Sequence, residues 1–94
     1  MIKIDPYLID TLMRDLTGHD RQPSAFLVYL YFYRWTAAAG QATVAASLRE
    51  IAGATGLSKR SVQTAISRLH GRQLIGIQRA NITDIPRYSV LAPH

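Results

Sequence analysis

Between Ser47 and Leu69 the chain reads SLREIAGATGLSKRSVQTAISRL, two short amphipathic segments joined across a glycine. In the first, Leu48, Ile51 and Ala52 fall on one helical face, and Ser47 with Glu50 three residues later makes a capping box that fixes the helix start. Gly56 stands where the chain must turn sharply, with Leu57 able to plug the corner. Ser58 is a second N-cap, opening a helix whose Val62, Ala65, Ile66 and Leu69 share a face. Two apolar stripes this close in sequence can bury themselves by packing on each other at an angle, and the rest of the chain must fold around that corner.

Small Ala52, the turn residues Gly56 and Leu57, and apolar Val62 and Ile66 are the positions by which this stretch resembles the helix-turn-helix family. The residues after Leu69 extend the resemblance. IGIQR alternates Ile75 and Ile77 with Gly76 and Gln78, and RYSVL alternates Tyr88 and Val90 with Arg87 and Ser89, the period of half-exposed strands. Residues 80–86 make the hairpin loop between them. A helix-turn-helix followed at once by a β-hairpin resembles the winged helix-turn-helix family of bacterial or phage type, over residues 42–91. GRQLIGIQR is then the passage from recognition helix to wing. The resemblance implies a mainly α fold of three to four helices with a C-terminal two- or three-stranded wing. QATVAA, residues 41–46, is expected to add a small strand, and residues 92–94 a short tail.

The N-terminal part reads as two further helices. Asp5-Pro6 is a good start, an acidic N-cap with proline at the first helical position, and Leu8, Ile9, Leu12, Met13 and Leu16 mark one face. This predicts a helix over 6–16, stopped at Gly18, and a polar loop over 17–23 that contains His19. Ser24 is the expected cap of the next helix, running through AFLVYLYFYRWTAAA to Ala39 and ending at Gly40. It is apolar nearly all round: Phe26, Leu30, Tyr33 and Ala37 make one face, and Leu27, Tyr31 and Trp35 another. The second face is a candidate dimer surface. Arg34 interrupts the run, which falls short of the ~20 apolar residues that a bilayer span requires.

With 94 residues and 48% hydrophobic content the chain is expected to form one domain, its N-terminal helices in 1–40, the helix-turn-helix in 41–72 and the wing in 73–91. There is no cysteine, which excludes disulfides and thiolate metal sites and makes a reducing cytoplasm the expected compartment. MIKIDPYLID lacks the basic flank and apolar run of a secretion signal.

The net charge of +5 is unevenly spread. Through residue 46, Lys3, Arg14, Arg21 and Arg34 are balanced by Asp5, Asp10, Asp15 and Asp20, whereas beyond it seven cations face only Glu50 and Asp84. All the excess lies in the half with the helix-turn-helix, and a polyanion is the expected partner. If the Val62/Ile66/Leu69 face is buried, the helical step of about 100° per residue turns Arg60, Thr64 and Ser67 outward with Gln63 beside them. These are the candidate base-contacting residues in the major groove of double-stranded DNA: Arg suits guanine O6 and N7, Gln suits adenine N6 and N7, and Thr or Ser offers a hydroxyl.

Ser58, Lys59 and Ser61 at the helix start make a phosphate seat, Arg49 and Arg68 are further phosphate candidates, and Arg72 is a further candidate functional residue. The winged-helix resemblance implies that Arg79, Asn81 and Arg87 act from the wing, on the adjacent minor groove or its phosphates.

Other functions find less support. Six acids and three scattered histidines, His19, His70 and His94, show no metal-ligand spacing, and the chain has no nucleophile elbow or phosphate loop. No enzyme, cofactor, metal or small-molecule ligand is expected. The expected function is nucleoid-associated transcriptional control. The alternatives are a DNA-replication organiser, which an aromatic helix before GLSKRSVQ also resembles, and a winged helix used for protein assembly. If Tyr31 and Trp35 pair two copies, the operator would be an inverted repeat.

Overall fold

The computed structural model describes residues 1–91, so the expected tail at 92–94, including His94, lies outside the described residues. Among them are four helices and a three-stranded antiparallel sheet. The N-terminal helical segment covers residues 6–19, α1 is Pro23–Trp35, α2 is Leu48–Thr55 and α3 is Lys59–Gly71. The strands are β1 (Val44–Ala45), β2 (Ile75–Gln78) and β3 (Arg87–Val90), in spatial order β1-β3-β2. β3 is central, pairing Val44 with Tyr88 on one side and Ile77 with Tyr88 on the other.

Asp5 caps the N-terminal segment as its sequence implies, its carboxylate accepting from the Tyr7 N–H at 2.9 Å. The segment contains two π-helical stretches, Leu8–Leu12 and Asp15–His19. The wider turn brings Leu8, Leu12 and Leu16 into line at every fourth residue, and all three are buried. Ile9 and Met13, expected on the same face, are exposed because that face is narrower than an α-helical reading makes it. Gly18 is not the stop. The helix carries through His19 and ends where Arg21 enters the left-handed region at φ +56°, with the Gln22 N–H returning to the Leu16 carbonyl at 2.8 Å.

Helix α1 begins one residue before the expected cap, with Gln22 at the N-cap position and Pro23 at N1; Ser24 lies inside the helix. It also ends earlier than Ala39. Buried Thr36 donates its hydroxyl to the Phe32 carbonyl at 2.7 Å and leaves helical geometry at φ −116° and ψ −91°. The three alanines that come next form a separate 3-10 turn, Ala37–Ala39, closed by left-handed Gly40. The buried face is therefore Ala25, Val28, Tyr29 and Phe32 with Phe26 beside them, whereas Leu30 and Tyr33 are half-buried and Ala37 is exposed.

Helix α1 is the post of the structure, packing on the N-terminal segment, α2, α3 and β3. Tyr29 and Phe32 are fully buried, each worth about 1.5–3 kcal/mol of apolar transfer. Phe32 stacks on Tyr88 of β3 at 4.5 Å between ring centroids, which ties the wing to the helical core. Burial, with smaller contributions from Tyr33, Tyr7 and Asp5, pushes the Tyr29 hydroxyl up to about 12.

Candidate nucleic-acid interface

The corner between α2 and α3 forms as its residues dictate. The capping box is complete: the Glu50 N–H donates to Ser47 Oγ and the Ser47 N–H to Glu50 Oε1, both at 3.1 Å. Gly56 ends α2 at φ +77°, where its N–H bonds the Ala52 carbonyl at 2.9 Å. Leu57 is half-buried at the turn, and Ser58 caps α3 by accepting from the Ser61 N–H at 3.1 Å. Val62, Ala65, Ile66 and Leu69 are buried, as their spacing predicts. Arg60, Gln63, Thr64 and Ser67 are consequently all exposed along the outer ridge of α3.

The ridge is flanked by two open clefts that meet at Ser67. On the wing side, Arg49, Lys59 and Gln63 face Ile77, Arg79 and Asp84. On the other side, Thr64 and Arg68 lie with Gly71, Arg72 and Gln22. A B-DNA major groove is about 12 Å wide, close to the diameter of a helix with its side chains, so a helix seated in it has a phosphate wall on each side. The clefts carry cations on both flanks.

At the start of α3, Ser58 Oγ donates to Ser61 Oγ at 3.0 Å, leaving the Ser61 proton to donate outward. Lys59 and Arg68 are exposed. Arg72 is engaged instead: its guanidinium donates to Asp20 Oδ2 at 2.8 Å, and His19 Nδ1 lies 3.2 Å from the other carboxylate oxygen. Burial alone would raise the Asp20 carboxyl. Hydrogen bonds from Arg72 and His19, with the charges of Arg72 and Arg68, outweigh it and hold the group below its ordinary value of 3.8. This junction between the N-terminal segment and the end of α3 was not legible in the sequence, where the two residues stand 52 positions apart.

The wing residues divide by orientation. Arg79 borders the cleft and reaches the Ile82 carbonyl oxygen at 3.5 Å. Arg87 turns the other way, its Nε donating to Thr43 Oγ1 at 3.0 Å beside β1. The Asn81 carboxamide oxygen accepts from both the N–H and the hydroxyl of Thr83, so only its NH2 remains to contact a ligand. Sequence reasoning passed over the apolar side of the wing: Ile77, Ile82 and Ile85 are all exposed. The signal was available in NITDIP, where two isoleucines interrupt a loop that turn chemistry alone would leave polar.

Of the dimer candidates on α1, Leu27 and Trp35 are exposed, and the Arg34 guanidinium stacks over the Trp35 ring at 4.2 Å. Tyr31 is half-buried and lies toward α2, where burial and then the Glu50 carboxylate raise its hydroxyl pKa.

A family described as a helix-turn-helix domain matches residues 22–75, more than half of the chain. The chain belongs to the helix-turn-helix domain family. The match runs from the start of α1 through α3 to the first residue of β2, so it takes in both exposed clefts' helical walls. Membership indicates a DNA-binding domain of a kind that is typically not enzymatic. Comparison with curated proteins and with solved structures gave no match. Among the described residues no group of three His, Asp or Glu side chains could hold a metal ion, and no helix is long and apolar enough to cross a membrane.

Proposed function

We propose that this helix-turn-helix chain is a sequence-specific double-stranded DNA-binding protein that regulates transcription on the nucleoid. The observation that carries the reading is the exposed ridge Arg60, Gln63, Thr64 and Ser67, set between two clefts that both carry cations. In this reading α3 enters the major groove and the ridge reads base edges. Ser58, Lys59, Ser61 and Arg49 hold one phosphate strand, Arg68 holds the other, and the wing reaches onward with Arg79 and the NH2 of Asn81. Arg87 serves there once it leaves Thr43. The helices before residue 41, the helix-turn-helix and the wing act as one unit. Two copies pair through Leu27, Tyr31 and Trp35, so the operator is an inverted repeat with half-sites about one helical turn, ~34–36 Å, or a multiple of it apart.

Base reading and phosphate holding separate experimentally. Arg60→Ala is expected to cost about 1–3 kcal/mol on the preferred duplex and to relax specificity at one position. Lys59→Ala should weaken all duplexes alike and reduce the salt slope by about one. Binding isotherms at two salt concentrations on preferred and random duplexes give both numbers. An Arg60→Ala variant that binds every duplex as the wild type does would overturn the assignment of the reading ridge. Genomic footprinting assigns the process: occupancy at promoters supports regulation, and a single cluster at a replication origin sinks it.

A further inference from the structure

The apex of the wing is unlike the rest of the basic surface. Residues 81–84 form a tight turn, closed by the Asp84 N–H on the Asn81 carbonyl at 3.1 Å. It is braced by the Thr83 N–H and hydroxyl on Asn81 Oδ1, at 3.2 and 2.8 Å. Asn at the first position is ordinary turn chemistry; a β-branched isoleucine at the next is not. Ile82 nonetheless stands there 85% exposed, contributing nothing to the core. A lone exposed apolar side chain needs no explanation, but this one continues a series. Ile77 and Ile85 are exposed along the wing wall of the cleft beside α3, and Ile82 lies exposed in the turn between them. Arg79 stands at the root of the turn, its guanidinium against the Ile82 carbonyl. The turn thus holds one apolar side chain, Ile82, in a braced frame with Arg79 behind it and Asp84 at its end.

We propose that Ile82 is a wedge that enters the DNA minor groove next to the site read by α3 and partly unstacks one base step, kinking the duplex. This rests on the DNA-binding reading above and adds to it the mode of contact and the kind of sequence selected. Minor-groove proteins that kink DNA insert an apolar side chain between base steps, and isoleucine is among those used. Arg79 meets the phosphates that edge the groove while the Ile82 side chain meets the bases, and the Asp84 carboxylate that ends the turn lines the cleft beside α3. The hydrogen-bonded turn arrives already ordered, so little conformational entropy is lost on insertion. Because pyrimidine–purine steps unstack most easily, the wedge selects a TA or CA/TG step at a position where no side chain reads a base edge.

The test uses the full chain and a duplex that it selects from a random-sequence pool. Bending is read by energy transfer between end labels, and affinity at several salt concentrations. Wild type should shorten the end-to-end distance. Ile82→Ala should abolish the bend and weaken binding roughly tenfold, with the salt slope unchanged because no phosphate contact is lost. Ile82→Phe should keep the bend, and circular dichroism should show both variants folded. Loss of preference for a flexible step in Ile82→Ala would support the wedge further. A wild-type complex with a straight duplex, or an Ile82→Ala complex that binds and bends as wild type does, overturns the wedge and leaves the DNA-binding reading standing. Failure of wild type to bind any duplex at low salt removes both, and would turn the apolar wing into a protein-contact surface.

Discussion

Helices α1 and α3 are each thirteen residues long and lie against one another, yet the same length of chain is put to opposite uses. α1 carries one charge, Arg34, and touches every other major layer of the fold; α3 carries Lys59, Arg60 and Arg68 and buries a single stripe. A helix apolar nearly all round must be surrounded, so α1 becomes the post against which the corner, the N-terminal segment and β3 are set. A helix with one apolar stripe gathers its neighbours, here α1, α2 and β2, on that side and leaves the rest of its circumference free. Division of labour between the two follows from the width of the stripe, and it predicts that substitutions in α1 act on stability and those on the outer ridge of α3 on binding.

The strongest way to break this comparison is to remove a ring from the post. Phe32→Ala deletes a fully buried side chain that also stacks on Tyr88, and is expected to cost about 3–5 kcal/mol in denaturant unfolding. The wing should loosen with the core, visible as faster amide exchange in β3, whereas the ridge variant Arg60→Ala should unfold at the wild-type midpoint. An intermediate effect is expected at the corner itself. Gly56 has open space where a methyl would stand but sits at φ +77°, so Gly56→Ala is penalised by backbone strain alone, about 1–2 kcal/mol. Gly53→Ala, with equal space and no positive φ, should not destabilise.

The two helices were also unequally legible. The corner from Ser47 to Leu69 was readable to the residue because its information is local: a cap, a turn glycine and an apolar period each specify backbone geometry within a few positions. The hairpin strands were readable for the same reason, and the short strand Val44–Ala45 fell within the expected 41–46. α1 was readable as a helix but not in its faces or its end, because an all-apolar sequence has no periodicity to show which side the neighbours will cover. Its end depends on one hydroxyl, that of Thr36, competing with the backbone. The π-helical turns before it left a plain pattern, leucine at 8, 12 and 16, that an α-helical reading extended to Ile9 and Met13. The exposed ridge of α3 was legible by subtraction from its buried stripe. The Asp20–Arg72 junction and the cleft it borders were not, since they arise from packing between distant segments.

That junction provides the smallest and sharpest test, because it joins the two halves at the end of α3. The folded state holds the Asp20 carboxyl below its ordinary 3.8, so its ion pair with Arg72 favours folding at neutral pH, and the contribution fades as pH falls past 3.8 and through the lower folded-state value. Asp20→Asn should therefore cost about 0.5–1 kcal/mol at pH 7, the scale of an ion pair with a partly exposed arginine. The Tm difference between wild type and variant should close as the pH is taken below 3.8 and through the lower folded-state value. Binding separates a structural tether from a competitor for DNA. Released from Asp20, Arg72 lies free beside Arg68 in the cleft next to the exposed ridge of α3. If the carboxylate competes with a phosphate for that guanidinium, Asp20→Asn should bind DNA a few-fold more tightly even as it unfolds more easily, with the gain shrinking at high salt. A variant that is less stable but unchanged in affinity at every salt concentration would make the pair a tether only, and would confine the α1–α3 division to what each helix buries.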